Sequence, residues 1–163
     1  MLTKQDVLDF RSMRLRALQE HPEAFGASYE EELAVTPETM ESWLDGSMFG
    51  AFDENTLIGI VSIRGSRYHK TRHRANIGAM YVAPEARGKG VGQALMDAAV
   101  EKARSLAGVE DVVLAVTVGN DSARRLYLRA GFTPYSIDPR YLKVNDQYFD
   151  IEWMILRIAE HGR

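Results

Sequence analysis

The sequence predicts one domain of mixed α and β structure, 1–163, and three features predict it. Apolar residues recur at helical spacing after residue 90, residues 111–118 (DVVLAVTV) form an unbroken apolar run, and two strand-like segments at 48–53 and 56–64 are separated by only two residues. A chain of 163 residues can bury a proper core within one domain.

Thr3-Lys4-Gln5-Asp6 has the form of a capping box, so a first helix is expected to run to about Glu20, where His21-Pro22 interrupts it. Thr36 as N-cap, Pro37 at the first helical position and Gly46 past the end mark a second helix. The segments 48–53 and 56–64 are apolar, β-branched or aromatic enough for two strands turning at Glu54-Asn55, and ANIGAMYV, 75–82, is a third strand stopped by Pro84. Beyond it, Val91, Leu95, Ala99, Ala103 and Leu106 form one face of a helix ending near Gly108, with Gln93, Asp97, Glu101 and Arg104 on another side. DVVLAVTV has the continuous apolarity of a buried central strand. Asn120-Asp121-Ser122 then caps a short helix over about 123–130 that Gly131 ends, and two strands follow at about 132–137 and 147–157.

Composition excludes several functions. There is no cysteine, hence no disulfide, thiolate metal site or cysteine nucleophile, and the four histidines show no metal-ligand spacing. No apolar run approaches the ~20 residues of a membrane span, and the N-terminus lacks a signal-peptide segment, so a cytoplasmic protein without a membrane partner is expected. The net charge of −3 argues against a nucleic-acid partner. Charge is nonetheless uneven. Residues 20–45 hold eight acids and no Lys or Arg, whereas 64–74 (RGSRYHKTRHR) holds five Lys/Arg, His69 and His73, and no acid. An acidic rim can attract a cationic amine and a basic stretch can hold phosphate; both are also what solvated faces look like.

Three glycines stand at alternate positions, 88, 90 and 92, between the third strand and the following helix. A strand entering a helix through such a turn leaves backbone N–H groups without acceptors, aligned with the positive end of the helix dipole. That arrangement suits a phosphate or pyrophosphate. Side chains at the three glycines would obstruct its approach, and Arg87 and Lys89 can add charge. Two nucleotide patterns fail: GxxxxGK followed by Ser or Thr is absent, and GxGxxG needs a glycine where this chain has Gln93.

What remains, Arg87-x-x-Gly90-x-Gly92, resembles the acyl-CoA signature of the GNAT superfamily of N-acetyltransferases, Gln/Arg-x-x-Gly-x-Gly/Ala. NDSARRLYLRAGF, 120–132, resembles the same family's Asn-x-x-Ala-x-x-x-Tyr-x-x-x-Gly-Phe block, and the likeness extends over roughly 3–157. The resemblance implies a GNAT-like acyl-CoA N-acyltransferase fold, a central mixed sheet flanked by helices. Only Met1-Leu2 precede the first helix, so the usual first edge strand is expected to be absent or vestigial. Acetyl-CoA is the implied cosubstrate, with no metal. Met80, Tyr81 and Val82 would offer backbone groups to the pantetheine arm, Arg87, Gly88, Lys89, Gly90, Val91 and Gly92 would hold the pyrophosphate, and Asn120, Ala123 and Tyr127 would line the arm.

The implied reaction is transfer of acetyl from acetyl-CoA to a primary amine, on a small molecule or a peptide, by direct attack in a ternary complex. Absence of cysteine favours that route over an acyl-enzyme. Tyr127 is the implied general acid. Glu31 is a candidate base or substrate contact, and Tyr29, Glu30 and Glu32 are candidate substrate contacts in the segment that resembles the family's substrate-facing loop. Many relatives carry a glutamate where this chain has Asn76, whose amide cannot act as a base. Two other readings stand beside this one: a non-catalytic acyl-CoA-binding or sensor module, and a nucleic-acid or phosphoprotein binder working through 64–74. A homodimer is left open.

Overall fold

The computed structural model describes residues 1–158. A 3-10 turn, Lys4–Asp6, leads into α1 (Val7–Glu20), and the Thr3 N–H donates to Asp6 Oδ2 at 2.7 Å, as the capping box requires. Two short helices follow, α2 (Tyr29–Leu33) and α3 (Pro37–Glu41), each capped by a hydroxyl: Ser28 accepts from the Glu31 N–H and Thr36 from the Thr39 N–H. The sequence reading places no helix at 29–33, because five residues are too few to display a periodic apolar face. α3 also stops well short of Gly46. Ser42, Trp43 and Leu44 continue it only as turns, each donating to the carbonyl three residues back.

Among the described residues the sheet has six strands: β1 (Met48–Asp53), β2 (Thr56–Gly65), β3 (Arg74–Val82), β4 (Asp111–Thr117), β5 (Thr133–Val144) and β6 (Gln147–Arg157). Their order is β1-β2-β3-β4-β6-β5, with β3 and β4 parallel and every other neighbour antiparallel. Two longer helices connect the middle of the sheet, α4 (Val91–Ser105) between β3 and β4, and α5 (Asp121–Arg129) between β4 and β5. The expected edge strand before β1 is reduced to one backbone bond, Leu2 N–H to Met48 O at 2.8 Å, with the Leu2 side chain buried. β5 runs seven residues beyond its expected end at 137. It is exposed along most of its length, so no apolar alternation marks it, and it turns into β6 through Asn145-Asp146, both at positive φ (47° and 63°).

Each face of the sheet carries its own core. α4 and α5 bring Met96, Ala99, Ala103 and Tyr127 against Val61, Val112 and Met154, while α1 and α3 bring Phe10, Ala17 and Met40 against Leu57, Ile60 and Tyr81. Among the described residues no helix is long and apolar enough to cross a membrane.

One feature of the sheet creates the space for a site. β3 and β4 pair only over Arg74–Asn76 and Asp111–Val113. Beyond that point β3 stays with β2 as far as Val82, and β4 stays with β6 as far as Thr117, so the two parallel strands part. A bulge helps to turn β3 away. Ile60 pairs with Tyr81 but Ser62 with Gly78, which sets Ala79 and Met80 opposite Val61, and Ala79 adopts φ +51°. An alanine tolerates that conformation at modest cost, whereas a β-branched residue does not. Ala79→Val is therefore expected to destabilise the fold by about 2 kcal/mol in urea denaturation, with Ala79→Gly within about 1 kcal/mol of the parent.

Candidate active site

The gap between β3 and β4 opens into two cavities. One, of about 710 Å³, lies over the starts of α4 and α5 and is lined by Met80, Tyr81, Val82, Arg87, Asn120 and Arg129 among others. The second, of about 630 Å³, lies towards α1 and α2 and is lined by Arg14, Glu32, Trp43, Ser62 and Arg64 among others. Both include Ala24, Phe25, Met80, Ala115 and Tyr127, so they meet at the parted strands.

The floor of the first cavity is backbone. Gly90 is the N-cap of α4 in the left-handed region, φ +81°, and offers no side chain to the first-turn N–H groups, which point outward without intrahelical acceptors. Gly88 shares that conformation at φ +74°. A Cβ on either would meet nothing within 4 Å, so open space lies above the turn. Gly92 answers to a different need from the one the sequence suggests. Its φ is helical, and an added Cβ would come within 3.2 Å of Leu126 Cδ2, so it lets α4 approach α5.

The end of β3 is held in place by side chains. Ala83 N–H donates to Ile58 O on the β2 side at 2.9 Å, and strand alternation therefore turns the Val82 N–H towards the gap. The Val82 carbonyl is taken by Arg87 Nε at 3.0 Å, while Arg87 Nη2 lies 3.2 Å from His21 Nε2. The Tyr81 hydroxyl donates to Glu20 at 2.6 Å, a bond that, with the Arg16 contact, holds the Glu20 carboxyl below its usual range. Across the gap, Thr117 Oγ1 donates to Glu23 O at 2.6 Å and pins the segment after α1 to the end of β4.

Asn120 caps α5 with its amide oxygen, which accepts from Ala123 N–H at 3.3 Å, and both residues line the first cavity. Tyr127 stands at the meeting point. It is 6% exposed, lies edge-on to Phe132, and burial pushes its phenol up to about 12.

Of the residues singled out in the sequence, Met80, Tyr81, Val82, Arg87, Gly88, Gly90, Val91, Gly92, Asn120, Ala123 and Tyr127 line the first cavity together, and Lys89 stands exposed outside it. The acidic segment is less convergent. Glu31 lines neither cavity: its carboxylate accepts the Ser28 N–H at 2.8 Å, and bonds with Ser28 hold its pKa below the ordinary value. Tyr29, Glu30 and Asn76 line neither cavity. Glu32 does line the second, buried and clasped by Arg14 through Nε–Oε2 at 2.8 Å and Nη2–Oε1 at 2.7 Å. In the basic stretch, Arg64 faces the second cavity, whereas 66–73 form the connection beyond the Gly65–Ala75 pair, at the opposite end of β2 and β3 from Val82. Among the described residues no group of three His, Asp or Glu comes together as metal ligands.

Sequence reasoning missed Arg14, Phe25, Trp43 and Ser62, which come from four separate segments and carry no local signal, and it marked Arg64 only as the start of the basic stretch. Glu32 is a candidate substrate contact in the sequence reading, but nothing in the sequence marks its pairing with Arg14.

A helix start with uncapped N–H groups thus lies on one side of the strand gap, and a second cavity adjoins it on the other. The acetyltransferase (GNAT) family model matches residues 13–132, and the chain belongs to that family. It is 35% identical over 133 residues to a mycothiol acetyltransferase from Beutenbergia cavernae, an alignment covering 80% of this chain and 42% of that protein, so the chain spans less than half of the relative's length. Two solved structures share the fold. An acetyltransferase of the GNAT family from Streptococcus pneumoniae superposes with a TM-score of 0.87 at 21% identity, over 96% of each chain. A putative acetyltransferase from Salmonella typhimurium, solved with its cofactor acetyl-CoA, gives 0.86 at 20% identity over 99% of this chain and 94% of that one.

The Arg14–Glu32 pair is shielded from water, with side-chain exposures of 13% and 8%. Arg14→Met strands the carboxylate and is expected to cost about 3 kcal/mol of stability, read by urea denaturation.

Proposed function

We propose that the chain transfers an acetyl group from acetyl-CoA to a primary amine by direct attack in a ternary complex. The observation that carries this reading is the meeting of the two cavities at Tyr127, which lets two ligands approach each other from opposite sides of the sheet. Three features of the first cavity support acetyl-CoA as its ligand: open space above Gly88 and Gly90, uncapped N–H groups at α4, and a lining that continues along the parted strands.

Acetyl-CoA, when bound, supplies the thioester and its thiolate leaving group. The chain supplies position and charge. Backbone N–H groups from Gly88 to Gly92 receive the pyrophosphate, and the Met80–Val82 edge receives the pantetheine arm. The gap-facing Val82 N–H is the donor for negative charge developing on the carbonyl oxygen. Tyr127 serves the departing sulfur chiefly by donating a hydrogen bond. With its phenol at about 12 against a thiol near 8.5, outright proton transfer would be uphill by about 5 kcal/mol. The acceptor amine, ordinarily near 10.4, gives up its proton to water before attack. Glu31 is occupied as a helix cap and Glu32 by Arg14, which supports water in that role over either carboxylate.

Calorimetric titration should give acetyl-CoA binding with neither ATP nor NAD binding, and a chain that ignores acetyl-CoA would sink the proposal. Tyr127→Phe should lower kcat in a thiol-release assay about tenfold to a hundredfold while leaving acetyl-CoA affinity within about twofold. Gly90→Val forces a β-branched residue into the left-handed region at the anion site, and acetyl-CoA affinity should fall at least about tenfold.

A further inference from the structure

The acidic stretch of the sequence points to a cationic acceptor, yet the second cavity is built the other way. Its charged lining residues are Arg14, Arg64 and Glu32. Both Glu32 oxygens are spent on Arg14, leaving Arg14 Nη1 outside that clasp. Arg64 gives Nη2 to Trp43 O at 3.0 Å and Nη1 to Asp45 at 3.3 Å, which leaves its Nε outside both bonds. Asp45 does not line the cavity and also accepts from the Ser47 hydroxyl at 2.6 Å. Of the other acids of the stretch, Glu20 serves Tyr81 and Arg16, Glu31 serves Ser28, and Glu23, 3.6 Å from His21, lines the first cavity and not the second.

Among the described residues the cavity therefore keeps guanidinium donors in reserve and has no free carboxylate. An ammonium entering it would meet two guanidinium groups and no unpaired anion, whereas a carboxylate would meet a planar donor at the right charge. Arg14 is fixed for this, its guanidinium 5.0 Å from the centre of the Phe25 ring. Phe10, Trp43, Met48 and Leu114 add apolar wall, beside the hydroxyl-bearing Ser62 and Tyr127.

We infer that the acceptor is a compact primary amine bearing its own anionic group, as in an amino acid with an apolar side chain, the anion held by Arg64 and Arg14 and the amine directed to the strand gap at Tyr127. This inference rests on the acetyl-transfer reading above. An aminoalkylphosphonate shares the chemistry.

The test is a thiol-release panel of apolar amino acids, their primary amides, their decarboxylated amines, aminoalkylphosphonates and linear diamines. Anion-bearing amines should exceed their neutral counterparts in kcat/KM by about 30-fold, in keeping with a charge-assisted hydrogen bond. The phosphonate arm tells a carboxylate-shaped seat from a general anion seat. Arg64→Gln should raise KM for the amino acid about tenfold, and Arg64→Lys should recover part of it. Acetyl-CoA affinity by calorimetry and the thermal midpoint should stay at parent values in both variants, which separates this role from a structural one. Equal rates for acid and amide, preference for diamines, or no acetylation of any anion-bearing amine by a chain that binds acetyl-CoA overturns the inference alone. Failure to bind acetyl-CoA removes the underlying reading, and the inference falls with it.

Discussion

Hydrogen bonding between β3 and β4 stops after three residue pairs, and the rest of the site depends on that stop. Parallel strands that separate inside a sheet leave backbone donors and acceptors facing each other across space, which is costly unless something else satisfies them. Here β3 from Ile77 and β4 from Leu114 keep their outer partners, β2 and β6, while their inner edges line cavities. The sheet is intact at one end and open at the other. The opening passes between the two faces, which is why one gap joins two cavities.

A parted sheet needs its free ends fastened, and the fastening is done by charged side chains at the mouth. Arg16 bridges Glu20 on its own helix and Glu85 in the turn after β3, with contacts of 2.8 Å to both. Tyr81 reaches Glu20, Arg87 holds the Val82 carbonyl, and Thr117 holds the Glu23 carbonyl. The exposed members of this network are individually weak in water. Their value is geometric: they tie the end of α1 to the ends of both central strands, so the width of the gap is set by the first helix. Carboxylates kept below their usual range by such bonds contribute stability above the unfolded pKa and lose it as pH falls through the folded one. The network is therefore firm at neutral pH and loosens only on acidification below the ordinary carboxylate range.

The central elements were legible because their signals are local. Val91 to Ser105 shows its face by periodicity, 111–117 shows double burial by unbroken apolarity, and Asn120 with Gly131 brackets α5. The residues lining the first cavity fall in the same category, since a turn and two helix starts contribute most of them. The grouping around the second cavity was not legible. Arg14, Phe25, Ser62 and Arg64 become neighbours only through packing, and no spacing in the chain announces it. The eight acids illustrate the limit. Their sum suggests an acidic surface, but pairing partners decide what a carboxylate does, and Glu20, Glu31, Glu32 and Asp45 each find one within the fold. Two smaller signals were in the text but quiet: the Ser28-x-x-Glu31 capping box that starts α2, and Asn145-Asp146, whose side chains suit the positive φ of a tight hairpin.

Charge distribution around the gap has one direction. The starts of α4 and α5, the Val82 N–H, Arg87 and Arg129 all present positive potential to the first cavity, and Tyr127 remains a neutral donor at its centre. Of the acids among the described residues, Glu23 alone lines that cavity, 3.6 Å from His21, and Glu32 alone lines the other, clasped by Arg14. A free carboxylate at the meeting point would oppose this field just where the proposed reaction develops negative charge on oxygen and sulfur. In the proposed reaction this arrangement would stabilise the departing thiolate, and a strong base beside Tyr127 would weaken that stabilisation.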